Sequence, residues 1–273
     1  MQVSAQTVAL PNAAGSVKFA VIGDNGNGDR EQYEVATQMT KFHATFAFDR
    51  VIMLGDNLYG RQEAADKIQK FALPYKALLD AGVKFYAALG NHDDPANVNY
   101  PPFNMDGQRY YTYATKNVRF FVLDSDELDP KQIAWLTAAL KDAKEDWKIC
   151  YFHHPLYSDG GTHGSSVELR VVLEPLFVAA GVNAVFSGHD HIYERLTPQK
   201  GIYYFVSGAG GQLRKGDTNR SAMTAAAFDQ DRSFMVVEIG ADTMTFQAIS
   251  RTGVIVDSGT IRRPVRPIAK ERP

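Results

Sequence analysis

The chain of 273 residues holds a single cysteine, Cys150, so no intrachain disulfide braces it. Cys150 lies inside the apolar run WKICYF and reads as a small buried hydrophobe. One free thiol fits a cytosolic protein and does not exclude the periplasm. No apolar run approaches the roughly 20 residues that a membrane-spanning helix needs. Charge of neither sign dominates: 29 Lys and Arg stand against 31 Asp and Glu, a formal net charge of -2. That balance argues against the broad basic face of a nucleic-acid binder. Repeats, low-complexity tracts and internal linkers are also missing, so the chain reads as one domain large enough to bury a core. The opening MQVSAQTVALPNAAG lacks the basic start and long apolar stretch of a signal peptide. Either the protein is not exported or such a segment has already been removed. The expected division is an N-terminal extension over 1–16, one domain over 17–262 and a loose Pro- and Arg-rich tail over 263–273.

What is present is a series of strand-like runs: VKFAVIG, RVIMLG, VKFYAALG, VRFFVLD, WKICYF, NAVFSG and GIYYFVSG, then SFMVVEIG, TMTFQAIS and VIVDSG. Helical patterns separate the earlier ones, at about 30–46, 64–80, 130–142 and 167–180. Pro74 predicts a kink or break in the second, and Asp129-Pro130 predicts the start of the third. The last three strands follow through short turns, as antiparallel hairpins do. Alternating β and α followed by mostly β predicts an α/β domain of two packed sheets with helices outside.

Many of these strands end alike. VIGD ends at Asp24, IMLGD at Asp56, AALGNH at Asn91 and His92, CYFHH at His153 and His154, and VFSGHDH at His189, Asp190 and His191. Singly, each reads as a turn, because Asp, Asn and Gly favour turns for local reasons. Together they deliver metal-binding side chains to the carboxyl ends of several strands, where open α/β sheets hold their ligands. Carboxylate, amide and imidazole donors suit first-row transition ions better than Ca²⁺ or Mg²⁺ alone. Seven or eight donors are too many for one ion and suit two, with Asp56 the candidate bridge.

The succession GDNG, GDNLY, GNHD, FHHP and GHDH resembles the calcineurin-like metallophosphoesterases, and the tyrosine of GDNLY narrows this to the purple acid phosphatases. The resemblance runs over about residues 17–210, and the compact length is similar to the small tartrate-resistant type. It implies the four-layer α/β/β/α fold and hydrolysis of phosphate monoesters by a metal-bound hydroxide. It implies a ferric site of Asp24, Asp56, Tyr59 and His191. A second, divalent site (Fe²⁺, Zn²⁺ or Mn²⁺) would use Asp56, Asn91, His153 and His189. His153 is preferred over His154 because the family's ligand stands two residues before a proline. His92 and His163 resemble substrate-facing histidines that stabilise phosphate or protonate the leaving group, with Asn91 also near substrate. Taken alone, Tyr59 would read as a strand-end aromatic and His163 as a solvated loop histidine.

The glycine-rich loop Gly23-Asp24-Asn25-Gly26-Asn27-Gly28 therefore is not a nucleotide cradle: it lacks the lysine and hydroxyl residue of a P-loop and does not match G-x-G-x-x-G. The expected partner is a small phosphorylated substrate, with no nucleic acid, no membrane and a monomeric state. Family resemblance suggests secretion or the periplasm. Alternatives are a phosphodiesterase or nucleotide hydrolase with two divalent ions, and a non-catalytic phosphate- or metal-binding protein. Asp190 is expected either to bond a metal ligand or to be exposed. The 208–223 loop, rich in Gly, Arg and Lys, is expected either to lie over the site and attract anionic substrate or to be a plain connection, and RYYTY at 109–113 to be strand packing.

Overall fold

A computed structural model describes residues 7–263. The strands, in chain order, are β1 (Val17–Ile22), β2 (Arg50–Leu54), β3 (Lys84–Ala88), β4 (Tyr111–Thr115), β5 (Val118–Val122) and β6 (Trp147–Tyr151). Then come β7 (Ala184–Ser187), β8 (Tyr193–Leu196), β9 (Tyr203–Ser207), β10 (Thr224–Phe228), β11 (Ser233–Ile239), β12 (Thr243–Ser250) and β13 (Ile255–Arg262). The helices are α1 (Arg30–Thr45), α2 (Ala64–Lys67), α3 (Lys76–Asp80), α4 (Pro130–Asp142) and α5 (Val167–Ala180).

These strands make two mixed sheets, ordered β13-β12-β11-β1-β2-β3 and β10-β8-β9-β7-β6-β5-β4. β1, β2 and β3 run parallel in the first, and β5, β6, β7 and β9 in the second. The β11–β12–β13 meander is antiparallel, as its short turns predict. The period-2 geometry of a strand sorts each run between two cores. In β1, Phe19 and Val21 enter the core between the sheets, while Ala20 and Ile22 join Val35, Ala36 and Met39 of α1 outside. Phe19 meets Phe120 edge-on at 5.3 Å, tying one sheet to the other; removing such a buried ring costs roughly 3–5 kcal/mol. Across the second sheet Leu136 of α4 and Leu173 and Phe177 of α5 complete the outer layer. Helix, sheet, sheet and helix are thus the four layers.

Asp129 caps α4 by accepting from Gln132 N at 2.7 Å, with Pro130 in the first helical turn. The 64–80 pattern is not one helix: α2 passes into a π turn at Ile68–Ala72, the chain breaks around Pro74, and α3 follows. Two strands escape the sequence pattern. β8 (YERL) and β10 (TAAAF) carry few strand-favouring residues and are formed by pairing with each other. The RYYTY cluster supplies β4, where Tyr113 stacks on Tyr86 at 4.2 Å.

The segment before β1 docks on the sheet: Asn12 N and Ala13 N both donate to Glu238 at 2.6 Å, and Val8 N to Ser258 Oγ at 2.9 Å. Of the expected tail, residues 264–273 lie outside the described residues. Among the described residues no helix is long and apolar enough to cross a membrane.

Candidate metal centre

Because the parallel strands of both sheets point the same way, their carboxyl ends gather at one rim of the sandwich. β1 leads to Asp24, β2 to Asp56, β3 to Asn91, β6 to His153 and β7 to His189. Six of the chain's seven histidines (His92, His153, His154, His163, His189 and His191) meet there, leaving only His43 on the far end of α1. Asp24, Asp56 and His189 have φ of 54°, 51° and 69°. Left-handed backbone at a residue other than glycine costs about 1–2 kcal/mol, and clusters where function over-determines the geometry.

The chain approaches itself so closely here that side chains are excluded at several glycines, Gly90 and Gly188 among them. A Cβ on Gly90 would sit 2.3 Å from Asp56 Oδ1, and one on Gly188 would sit 2.4 Å from Asp24 Oδ2. These glycines explain why the strands end in G-N-H and G-H-D-H.

Two groups of donors result. In the first, the Tyr59 hydroxyl lies 3.1 Å from Asp24 Oδ1 and 3.3 Å from His191 Nε2, and that nitrogen is 3.4 Å from Asp24 Oδ1. Asp56 belongs with Asp24 and His191. In the second, His153 Nε2 is 3.0 Å from Asn91 Oδ1, 3.1 Å from His189 Nδ1 and 3.5 Å from Asp56 Oδ1. Asp56 thus stands between the groups, as a bridge must.

The donor chemistry fits cations. His153 Nδ1 lies 3.0 Å from the Leu54 carbonyl, an acceptor, so the ring proton is there and Nε2 presents a lone pair. That lone pair faces the Asn91 and Asp56 oxygens, and acceptors facing one another without a proton between them call for a positive ion. Burial, reinforced by the neighbouring imidazoles, pushes His153 well below the usual histidine range and His189 down to about 2. His191 falls to about 4 through burial and the charge of Arg214. Neutral imidazole is the ligating form. Burial and the adjacent Asp56 carboxylate raise Asp24 well above the ordinary range, a repulsion that a cation relieves.

Around the donors, Asp93 accepts from Asn57 N, Asn57 Nδ2, Leu58 N and Gly90 N at 2.8–3.1 Å. It clamps the segment bearing Asp56 and Tyr59 to the segment bearing Asn91 and His92. Burial pushes its carboxyl up to about 7 against the pull of those backbone hydrogen bonds. The sequence pattern shows Asp93 only as half of a GNHDD turn.

His92 is exposed, donates its backbone N–H to Asp56 Oδ1 at 2.9 Å and sets its ring 5.0 Å from that of Tyr59. His163, also exposed, lies over His189 with ring centroids 4.1 Å apart. Asp190 is neither exposed nor bonded to a ligand: it is fully buried and accepts from Ser158 Oγ at 2.5 Å and Gly164 N at 3.2 Å. It anchors the loop that carries His163. The 208–223 loop is not a plain connection. Gly211 N and Gln212 N donate to the Asp24 carbonyl at 3.1 and 2.9 Å, and Arg214 N to the His191 carbonyl at 3.0 Å. Further on, Gly161 N donates to the Asp217 carbonyl at 2.6 Å, lacing this loop to the His163 loop. Arg214, Ser125 and Asp93 stand among the residues that sequence reasoning missed. For Ser125 a signal exists, since VRFFVLDS has the same strand-into-polar form as the other runs.

The chain is similar to known proteins in sequence and in fold. The calcineurin-like phosphoesterase family profile matches residues 17–193. Rat (Rattus norvegicus) tartrate-resistant acid phosphatase type 5 is 26% identical, over 93% of this chain and 93% of its own. Arabidopsis thaliana purple acid phosphatase 17 is 29% identical, over 75% of this chain and 71% of its own. Among solved structures, a purple acid phosphatase from yellow lupin (Lupinus luteus) seeds superposes with a TM-score of 0.77 at 19% identity, over 94% of this chain and 55% of that one. GAP50, described as the anchor in the inner membrane complex of Plasmodium, also gives 0.77, at 20% identity over 91% and 89%. These two share the fold.

Proposed function

The chain belongs to the calcineurin-like phosphoesterase family, and from that premise we propose that it is a phosphate monoesterase of the purple acid phosphatase type. It is a metal-dependent hydrolase with a binuclear centre, acting on small phosphorylated substrates. We assign Asp24, Asp56, Tyr59 and His191 to a ferric ion, and Asp56, Asn91, His153 and His189 to a divalent ion (iron, zinc or manganese). Bound metals supply an acidified water and neutralise charge on the phosphoryl group.

The protein's own residues do the rest. Asp56, held between the two donor groups, fixes the spacing at which a phosphoryl group is gripped. His92 and His163 reach the cleft from opposite sides, over Tyr59 and over His189, and one donates a proton to the departing alkoxide. Replacement of His92 by alanine is expected to lower kcat about a hundredfold, the lower part of the range for a general acid, with metal content unchanged. Unaltered turnover of an alkyl phosphate such as β-glycerophosphate, whose alkoxide needs that proton to leave, would remove His92 from the reaction. The net charge of -2 supports a small-molecule substrate over nucleic acid, and we take the working form to be a monomer away from membranes.

The observation that carries this reading is the Tyr59 hydroxyl, 3.1 Å from Asp24 Oδ1 and 3.3 Å from His191 Nε2. A phenolate on ferric iron absorbs visible light. The test is a visible spectrum with metal analysis, wild type beside Tyr59→Phe. A purple band lost in the variant is expected; a colourless protein with two divalent ions, despite iron and oxidising conditions, would defeat the ferric assignment.

A further inference from the structure

His154 follows a ligand, yet its surroundings are the reverse of that ligand's. It stands after β6, beside the end of β5, and its ring centroid is 4.4 Å from that of His189 and 4.9 Å from that of His153. One of its nitrogens lies within 4.8 Å of donor atoms on both. Proximity alone would allow it to be a metal ligand. The hydrogen bonding decides otherwise.

Ser125 Oγ accepts the His154 backbone N–H at 3.0 Å and lies 3.0 Å from His154 Nδ1. A hydroxyl has one proton to give, and among the described residues Nδ1 is the acceptor placed to take it. With the hydroxyl proton on that hydrogen bond, Nδ1 holds the lone pair and the ring proton sits on Nε2. For His153 the partner of Nδ1 is a carbonyl, which forces the opposite tautomer and frees Nε2 for an ion. Two adjacent histidines are thus set in opposite senses by an acceptor under one and a hydroxyl under the other. His154 Nε2–H has no lone pair for a metal, is 4.0 Å from Asp126 Oδ1, and belongs to a side chain still 18% exposed. It is a donor at the edge of the cleft.

We propose that His154 is a substrate-contacting residue on the divalent side, held as an Nε2–H donor by Ser125, that favours monoesters over diesters. This rests on the phosphatase reading above. A monoester near neutral pH carries close to two negative charges. A diester carries one, and its extra ester oxygen is a poorer acceptor. A hydrogen bond to a charged group outweighs one to a neutral group, so a fixed donor beside His189 discriminates between the two classes.

The test compares kcat/KM for p-nitrophenyl phosphate and bis(p-nitrophenyl) phosphate in metal-loaded wild type, His154→Ala, Ser125→Ala and the double variant, with metal analysis of each. His154→Ala is expected to keep both ions and to lower the monoester-to-diester ratio about tenfold, the scale of a hydrogen bond to a charged acceptor. Ser125→Ala should lower it less and add nothing to His154→Ala, since it acts through the same ring. An unchanged ratio, or loss of one ion in His154→Ala, overturns the proposal, as does an additive double variant. A wild type that is inactive on both esters, or that prefers the diester, overturns the monoesterase reading itself and is told apart from those results.

Discussion

Asp56→Ala is expected to release both metal ions and to lower kcat/KM by more than about a hundredfold, beyond what removal of a ligand's outer hydrogen-bond partner costs. Asp56 is 1% exposed and touches both donor groups. Without its carboxylate the cation that the facing Asn91 oxygen and His153 nitrogen call for is held less firmly, and the His92 backbone N–H loses its acceptor. Alanine also fits poorly at φ 51°, so Asp56→Asn is the sharper variant. Asparagine tolerates that backbone and still accepts from His92 N, so only charge is lost. Metal analysis and steady-state turnover decide the matter. An Asp56→Asn protein that holds two ions and retains near wild-type turnover would show that Asp56 is no bridge.

The second large effect is expected in stability as well as rate. Asp93→Ala strands four donors, on Asn57, Leu58 and Gly90, in a region without solvent. Each orphaned buried donor costs about 1–3 kcal/mol before relaxation. A net loss of about 3–5 kcal/mol matches the breaking of a buried charged network. For a chain of this size that lowers Tm by roughly 10 °C. Turnover should fall too, because the clamp between the Asp56 segment and the Asn91 segment opens. Thermal unfolding followed by circular dichroism is the direct measurement. A variant melting with the wild type would mean that the four donors find other partners and that the clamp is not structural.

The sequence and the structure agree on which side chains gather at the strand ends. An apolar run needs only a local break to place its last residue at the sheet rim, so Asp24, Asp56, Asn91, His153 and His189 were legible as a set, although each alone reads as a turn. Helices with local caps were legible for the same reason, as Asp129 and Pro130 illustrate. Residues acting through distant partners were not. Asp93 looks like turn punctuation until Asn57 and Leu58 fold over it, and Ser125 has meaning only beside an imidazole 29 positions away. The basic composition of the 208–223 loop was legible, but its anchors were not, because they are the carbonyls of Asp24 and His191, which composition does not reveal. β8 and β10 depend on ladders rather than on their own residues.

The left-handed backbone at Asp24, Asp56 and His189 bears on how such a centre is lost. Apart from glycine, that conformation is best tolerated by aspartate, asparagine and histidine. Drift at these positions is therefore channelled towards residues that preserve the turn while changing the donor. Asparagine in place of aspartate retains the loop and discards the charge. Glycine retains the loop and discards the ligand. A lineage descending from this chain can shed its chemistry in single steps and keep its architecture, so a superimposable fold is a poor certificate of catalysis, and the identity of the donor at each bend is a better one.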